Sequence, residues 1–406
     1  MHCYIGMELS NSFYTFIRQH AADDTVSLRL KYSGNTDIRF DFPLDFALMQ
    51  IEARKKTRKK LSDFISNERF LFPSIIAAEQ ASNQTVARFH ASLLSNCTNI
   101  LDLTAGLGID DISFARNRIQ ITACEIEDLK CEVLRHNAAE MKVDDFLTVV
   151  NTDSIEFLRS CSFRFDAVFA DPARRDSAGA KVHALADCQP DILTALPDIL
   201  RVSNRLIVKS SPLLDISLVR ETVPDLYHIH IVCFKGECKE VLVDVRKDAP
   251  FTGVTVVDLD TDSMISTFKT DFSPISNKNS IKYSSRNSPI DYAWLYEPNA
   301  GVMKTGDWSA LQLQFPDLDK ADVNTHLFLS DTFYSDFPGR VTRIDCSLDK
   351  KSLKSIKKEK INVVSRNHPL SAPMIYKKYS IVPGSDSFIY AFRFNGSPMM
   401  IKTRSK

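Results

Sequence analysis

No apolar run in this chain of 406 residues approaches the roughly 20 residues that a membrane-spanning helix needs, and the first twenty positions hold no signal-peptide hydrophobic segment. Both absences predict a protein that stays in the cytoplasm and has no membrane partner. The nine cysteines are an odd, scattered set, with no C-x-x-C pair and no His/Cys cluster at zinc spacing. That pattern argues against a disulfide frame and against a metal site, and for reduced thiols. Cys124, Cys161 and Cys233 lie in or beside apolar runs and are expected in the core. Long low-complexity tracts and short-period repeats are missing too. Nor does one charge sign dominate, since 51 Lys/Arg balance 51 Asp/Glu. What is left is an ordinary globular composition, 44% hydrophobic and 25% charged, with room for two to four domains and a sizeable core.

The neutral total hides an asymmetry. Residues 336–406 carry a balance of +10 and the first 335 residues one of −10. A basic module on an acidic body suggests a polyanionic partner, though a solvated helix around residues 350–360 accounts for part of the excess. A second basic run, residues 54–60, puts six positive charges in seven positions. On a helix these wrap right round, so the run is either a solvated face or a phosphate-contacting patch.

Residues 99–111, N-I-L-D-L-T-A-G-L-G-I-D-D, organise the rest. An apolar run ending in Asp102 reads as a buried strand. Residues 104–108 turn the chain, and Ile109, Ile112, Phe114 and Ala115 are spaced to bury one face of a helix. Gly106 and Gly108 permit a tight turn and close approach of a ligand, and free N–H groups at the helix start suit an anion or polar group. The next apolar run ends in Glu125, about 20 residues past the turn, where a carboxylate can hold a ribose diol in doubly wound sheets. Two more runs, 146–150 and 165–170, are followed by N-T-D-S and D-P-A-R-R-D. Polar residues directly after each strand are where ligands sit in open α/β sheets.

Around this core, Phe13, Phe16 and Ile17, and Phe46, Met49 and Ile51, predict helices within residues 1–80. Residues 79–91 read as one amphipathic helix. Strands are expected at 205–209, 227–234 and 239–245, the last two closing a hairpin, so the sheet should be mostly parallel with an antiparallel edge. Residues 251–335 read as a small α+β module. The last module, from F-P-G-R at 337–340, has strands near 341–344, 361–365 and 388–394 and a basic helix between the first two.

The motifs D-L-T-A-G-L-G-I-D, C-E-I-E, N-T-D-S and F-A-D-P-A-R-R, in that order, resemble those of class I S-adenosylmethionine-dependent methyltransferases over about residues 95–246. The third glycine of a dinucleotide fingerprint is replaced by Asp111, a spacing that suits S-adenosylmethionine better than a pyrophosphate cofactor. E-Q-A-S-N-Q-T-V-A-R-F-H-A, D-P-A-R-R, G-E-C-K-E-V-L, F-P-G-R and R-N-H-P carry a narrower resemblance to bacterial methyltransferases with a C-terminal THUMP-like domain. The resemblance implies an α/β fold: a seven-stranded Rossmann-like methyltransferase domain at 81–250, after an N-terminal helical region at 1–80. A ferredoxin-like subdomain at 251–335 and a THUMP-like basic domain at 336–406 would follow.

It also implies site residues. Asp102, Thr104, Ala105, Gly106 and Gly108 would surround the methionine part of the donor. Glu125, with Ile126 beside it, would hold the ribose, and Asp153 and Ser154 the adenine edge, although Asp153 is equally a helix cap. Glu79, Gln80 and Ser82 are either near the cofactor or plain surface residues. Asp171, beside both donor and acceptor, Arg174 and Lys209 form the catalytic set. Arg174 and Arg175 either stack on a base or bind phosphate, or pair with Asp166, Asp176 or Asp187. Lys209 either touches substrate or pairs with Asp171. No cysteine follows Pro172, which argues against a thiol nucleophile. The expected activity is methylation of a structured RNA, tRNA or rRNA, held by the C-terminal module. The other reading is methylation of a protein or small molecule, with that module structural.

Overall fold

The computed structural model describes residues 9–33, 39–174, 188–261, 263–272 and 281–405. The chain forms two compact units, 1–227 with 241–251, and 228–240 with 252–406. In chain order the strands are β1 (Asn99–Asp102), β2 (Gln120–Glu125), β3 (Leu147–Asn151), β4 (Ala167–Ala170), β5 (Ala173–Arg174), β6 (Cys188–Gln189), β7 (Arg205–Ser210), β8 (Leu226–Phe234) and β9 (Glu237–Arg246). They continue as β10 (Val254–Leu259), β11 (Met264–Thr270), β12 (Trp294–Pro298), β13 (Asp319–Asp322), β14 (Thr325–Ser330), β15 (Gly339–Ser347), β16 (Asn362–Arg366), β17 (Ser387–Phe394) and β18 (Ser397–Ser405).

In the first unit, parallel strands lie in the order β3-β2-β1-β4-β7, and Val241–Arg246 of β9 runs antiparallel to β7. Ile100, Leu101, Val168 and Leu206 have no exposed surface, which is why the central strands read as unbroken apolar runs. The order reverses between β1 and β4: the chain moves outward to β2 and β3, then returns to the other side of β1. Such a reversal opens a crevice at the carboxyl ends of the strands. The first unit contributes five parallel strands and one antiparallel strand where a seven-stranded sheet was expected.

Helices Asn11–Gln19 and Leu44–Thr57 meet through Phe13 and Phe46, stacked 5.7 Å apart, as the apolar spacing predicts. The basic run is split: Lys56, Arg58 and Lys59 are exposed, whereas Arg54 and Lys60 bind main-chain carbonyls. The helix ends at Thr57, and Arg54 turns inward, donating to the carbonyls of Ile65, Asn67, Glu68 and Phe70. Burial lowers its pKa to about 10. Lys60 donates to the carbonyls of Ala78 and Glu79, and Lys56 pairs with Glu79 at 2.6 Å. These cations tie off the carbonyls of chain ends that would otherwise be unsatisfied.

The amphipathic stretch at 79–91 is two helices, Ile75–Gln80 and Gln84–Leu93, not one. Asn83 accepts from the Thr85 N–H and starts the second. The break leaves Ser82 between two helix ends.

In the second unit, β8 and β10 pair in parallel and β10 and β11 antiparallel. A separate seven-stranded sheet has the order β13-β14-β12-β15-β18-β17-β16. Period-two alternation in β17 sends Tyr390 and Phe392 to a core with Tyr292 and Leu295, and Ile389 and Ala391 to one with Leu353 and Ile375. Leu353 and Ile375 come from the helices Lys350–Ser355 and Ala372–Tyr379. The basic helix expected between the first two strands of the last module is thus a covering helix with its lysines outward. No helix among the described residues is long and apolar enough to cross a membrane. Cys124, Cys161 and Cys233 are buried and free, as their apolar neighbours predict.

Candidate functional site

The crevice at the ends of β1, β2 and β4 has a volume of about 840 Å³. Asp102, Thr104, Ala105, Gly106, Gly108, Glu125, Ile126, Asp153, Ser154 and Asp171 all line it. The ends of four strands, β1 to β4, and the loops after them bring these residues together from 70 residues of sequence.

The glycine turn is fixed from below and open above. Gly106 and Gly108 have φ of +57° and +78°, conformations that L side chains resist. A β-carbon on Gly108 would strike Leu134, whereas one on Gly106 would meet nothing nearer than a carbonyl at 3.8 Å. Gly108 therefore serves packing, and Gly106 leaves space for a ligand.

Carboxylates hold the surrounding loops. Thr104 N–H donates to Asp102 Oδ1 at 2.6 Å, and Thr104 Oγ1 accepts from the Asp171 N–H at 2.6 Å, so the loops after β1 and β4 share one hydroxyl. Glu125 accepts from the Gly106 N–H at 3.0 Å and the Glu127 N–H at 2.9 Å. Asp153 caps the helix Ser154–Ser160, accepting from Ile155 and Glu156 N–H, while lining the crevice; the cap and the lining position coincide. Ile126 is 65% exposed at the rim, an apolar surface that a flat ring could cover.

Beside the crevice runs a chain of polar contacts. Lys209 Nζ donates to Asp171 Oδ2 at 2.6 Å and to Ser82 Oγ at 2.9 Å. Ser82 donates to Asp110 Oδ2 at 2.6 Å, and His90 Nδ1 meets Asp110 Oδ1 at 2.7 Å. Burial works to raise the Asp110 pKa, but His90 and its hydrogen bonds outweigh that and bring it down to about 2. Asp110 is thus a permanent anion, and Lys209 is held between two acids. Of the two readings of Lys209, the structure shows the pair with Asp171. Sequence reasoning singled out neither His90 nor Asp110. Only part of the signal was there: Ser82 was one of three polar residues expected near the cofactor, and Asp110 follows the glycine turn.

Beneath the turn lies a second pair. Asp111 has no exposed surface, and no N–H or hydroxyl among the described residues reaches its oxygens. Burial above all, and then Asp102 beside it, hold it well above the usual carboxylate range; burial raises Asp102 likewise. A proton given by Asp111 to Asp102 satisfies both. The native state therefore keeps a proton that the unfolded chain loses above about pH 4. Stability contributed by this pair is complete below that pH and falls as pH rises, by about 1.4 kcal/mol per pH unit for one retained proton. Urea unfolding of Asp111→Asn, which replaces the acid's O–H donor with an amide N–H that cannot titrate, should show a shallower decline than wild type. Equal slopes would mean that no proton is shared there.

The side chain of Arg174, and residues Arg175, Asp176 and Asp187, lie outside the described residues. Asp166 instead accepts from Thr98 and Asn99.

Comparison with known proteins agrees with this layout. Residues 97–174 match a family described as RNA cap guanine-N2 methyltransferase, and residues 294–338 one described as a ferredoxin-like domain. A crystal structure from Porphyromonas gingivalis W83, described as a "putative methyltransferase", superposes with a TM-score of 0.80 at 22% identity, over 98% of this chain and 100% of that one. M. capricolum TrmK in complex with S-adenosyl-homocysteine gives 0.32 at 15% identity, over 40% and 68%. An O-methyltransferase from Bacillus cereus in complex with SAH gives 0.33 at 13% identity, over 54% and 97%. No curated protein matches the chain. The chain has the fold of the Porphyromonas gingivalis structure, and residues 97–174 match a methyltransferase family.

Proposed function

We propose that this protein methylates a structured RNA in the cytoplasm, with the C-terminal basic, THUMP-like module holding the RNA. The observation that carries the reading is the match of residues 97–174 to an RNA methyltransferase family, on the same chain as a 336–406 segment of charge +10. Bound in the crevice, S-adenosylmethionine would supply the methyl group as a sulfonium. Asp102 and the Thr104–Gly108 turn would hold its methionine part, Glu125 its ribose, and Asp153, Ser154 and Ile126 its adenine. The open space over Gly106 fits that assignment.

Asp171 is 41% exposed at its side chain, at the crevice edge, while Lys209 behind it is 12% exposed. We assign Asp171 to orient the acceptor and take its N–H when the acceptor is an amine, which sheds one proton as its bond to carbon forms. Lys209 fixes the carboxylate by pairing with one oxygen. Arg174 would meet the RNA near the acceptor.

The test is transfer of labelled methyl from S-adenosylmethionine to small RNA from cells lacking the gene. Label in RNA, and RNA affinity that falls steeply between 50 and 200 mM salt, are expected. Label entering protein or small metabolites but not RNA would overturn the substrate and favour the reading in which the C-terminal module is structural.

A further inference from the structure

The second unit has a cavity that methyl transfer does not use. Its volume is about 710 Å³, and it is built from β16, the loop after it, the start of helix Ala372–Tyr379, and Arg393 of β17. The R-N-H-P stretch, Arg366 to Pro369, forms its floor and rim.

Its lining has one electrostatic sign. No acidic side chain lines it. Arg393 gives one N–H to the Gly396 carbonyl at 2.8 Å, and no acid among the described residues pairs with it. Arg366 reaches Glu297 at 2.7 Å, but Arg340 also reaches that carboxylate, at 3.3 Å. One negative charge therefore serves two guanidiniums, and the cluster stays cationic. His368 adds a neutral imidazole. Its Nδ1 lies 3.0 Å from the Leu370 N–H and 3.3 Å from the Leu370 carbonyl. Burial lowers the pKa of this ring, and the nearby Arg393 adds to the effect, so the ring is neutral at neutral pH.

The rest of the lining includes the apolar side chains of Val364, Pro369 and Met374 and the small polar ones of Ser365, Asn367 and Ser371. Planar cations and a neutral imidazole beside apolar side chains suit a ligand with an anionic end and a flat ring. A lone phosphate would leave the apolar side chains unused. The volume lies inside the roughly 300–1,000 Å³ span of small-ligand sites.

We propose that this cavity takes one nucleotide of an unpaired RNA segment, with its phosphate at Arg393 and Arg366 and its base against Pro369 and Met374. Unpaired RNA offers the splayed-out bases that such side chains can cover, which a duplex does not. The inference rests on the RNA reading above and gives the C-terminal module a defined contact.

The test measures affinity of the full chain for a labelled ten-nucleotide single-stranded RNA and for labelled small cellular RNA, across a salt series. Arg393→Ala should weaken single-strand binding about tenfold and lower the salt slope by about one, while Arg393→Lys keeps most of the affinity. Met374→Glu, at a 52% exposed position, puts a negative charge into the cavity without touching the core and should weaken binding in the same direction. S-adenosylhomocysteine affinity should be unchanged in all three. RNA binding like wild type in both Arg393→Ala and Met374→Glu overturns the nucleotide site and leaves the RNA reading standing. A wild-type chain that binds neither RNA at low salt overturns both.

Discussion

Gly106→Arg should abolish measurable binding of S-adenosylhomocysteine, an affinity loss of at least about 100-fold. The argument is steric. A β-carbon at 106 points into the open part of the crevice, where its nearest neighbour is 3.8 Å away, so a long side chain grows into the donor's volume rather than into the protein. The left-handed φ of +57° adds a backbone cost of about 1–2 kcal/mol, a small part of a domain's stability. Calorimetric titration of the purified variant, with its melting transition as a control, reads the result. Donor affinity retained in a folded Gly106→Arg protein would mean that the ligand lies elsewhere.

Asp171→Ala should lower turnover by about 10²–10⁴-fold and change donor affinity little. Asp171 lines the crevice but is held from behind by Lys209, and its backbone N–H rather than its carboxylate ties it to Thr104. Removing the side chain therefore spares the loop that binds the donor. Lys209→Ala should act in the same direction, and Asp110→Asn more weakly, because Asp110 is hydrogen-bonded to Ser82, which in turn accepts from Lys209. Single-turnover rates and donor titrations on each variant separate the two effects. Equal losses in rate and donor affinity would assign Asp171 to donor binding instead.

The central strands were legible because each is a short apolar run ended by a polar residue, and Asp102 and Glu125 mark where β1 and β2 stop. The crevice was legible for the same reason: its lining comes from residues directly after strands. The buried chain from Lys209 to His90 was not, because it joins residues up to 127 positions apart whose types are also ordinary surface types. Within residues 54–60, Arg54 and Lys60 misled in a different way. Charge predicts solvent or a polyanion, but Arg54 has four backbone carbonyls as partners, and carbonyl ends leave no mark on a sequence. The β10–β11 hairpin was hidden by the polar residues that surround it.

The excursion of residues 228–240 into the second unit bears on how the protein is born. Ile229, Ile231 and Val232 are wholly covered in the finished molecule, and their parallel neighbour, β10, starts only at Val254. A ribosome adding about 5–20 residues per second leaves that sticky flank bare for about one to four seconds on each new chain. A gene truncated at residue 251 would leave it bare for good, so such a fragment should clump rather than yield a working half.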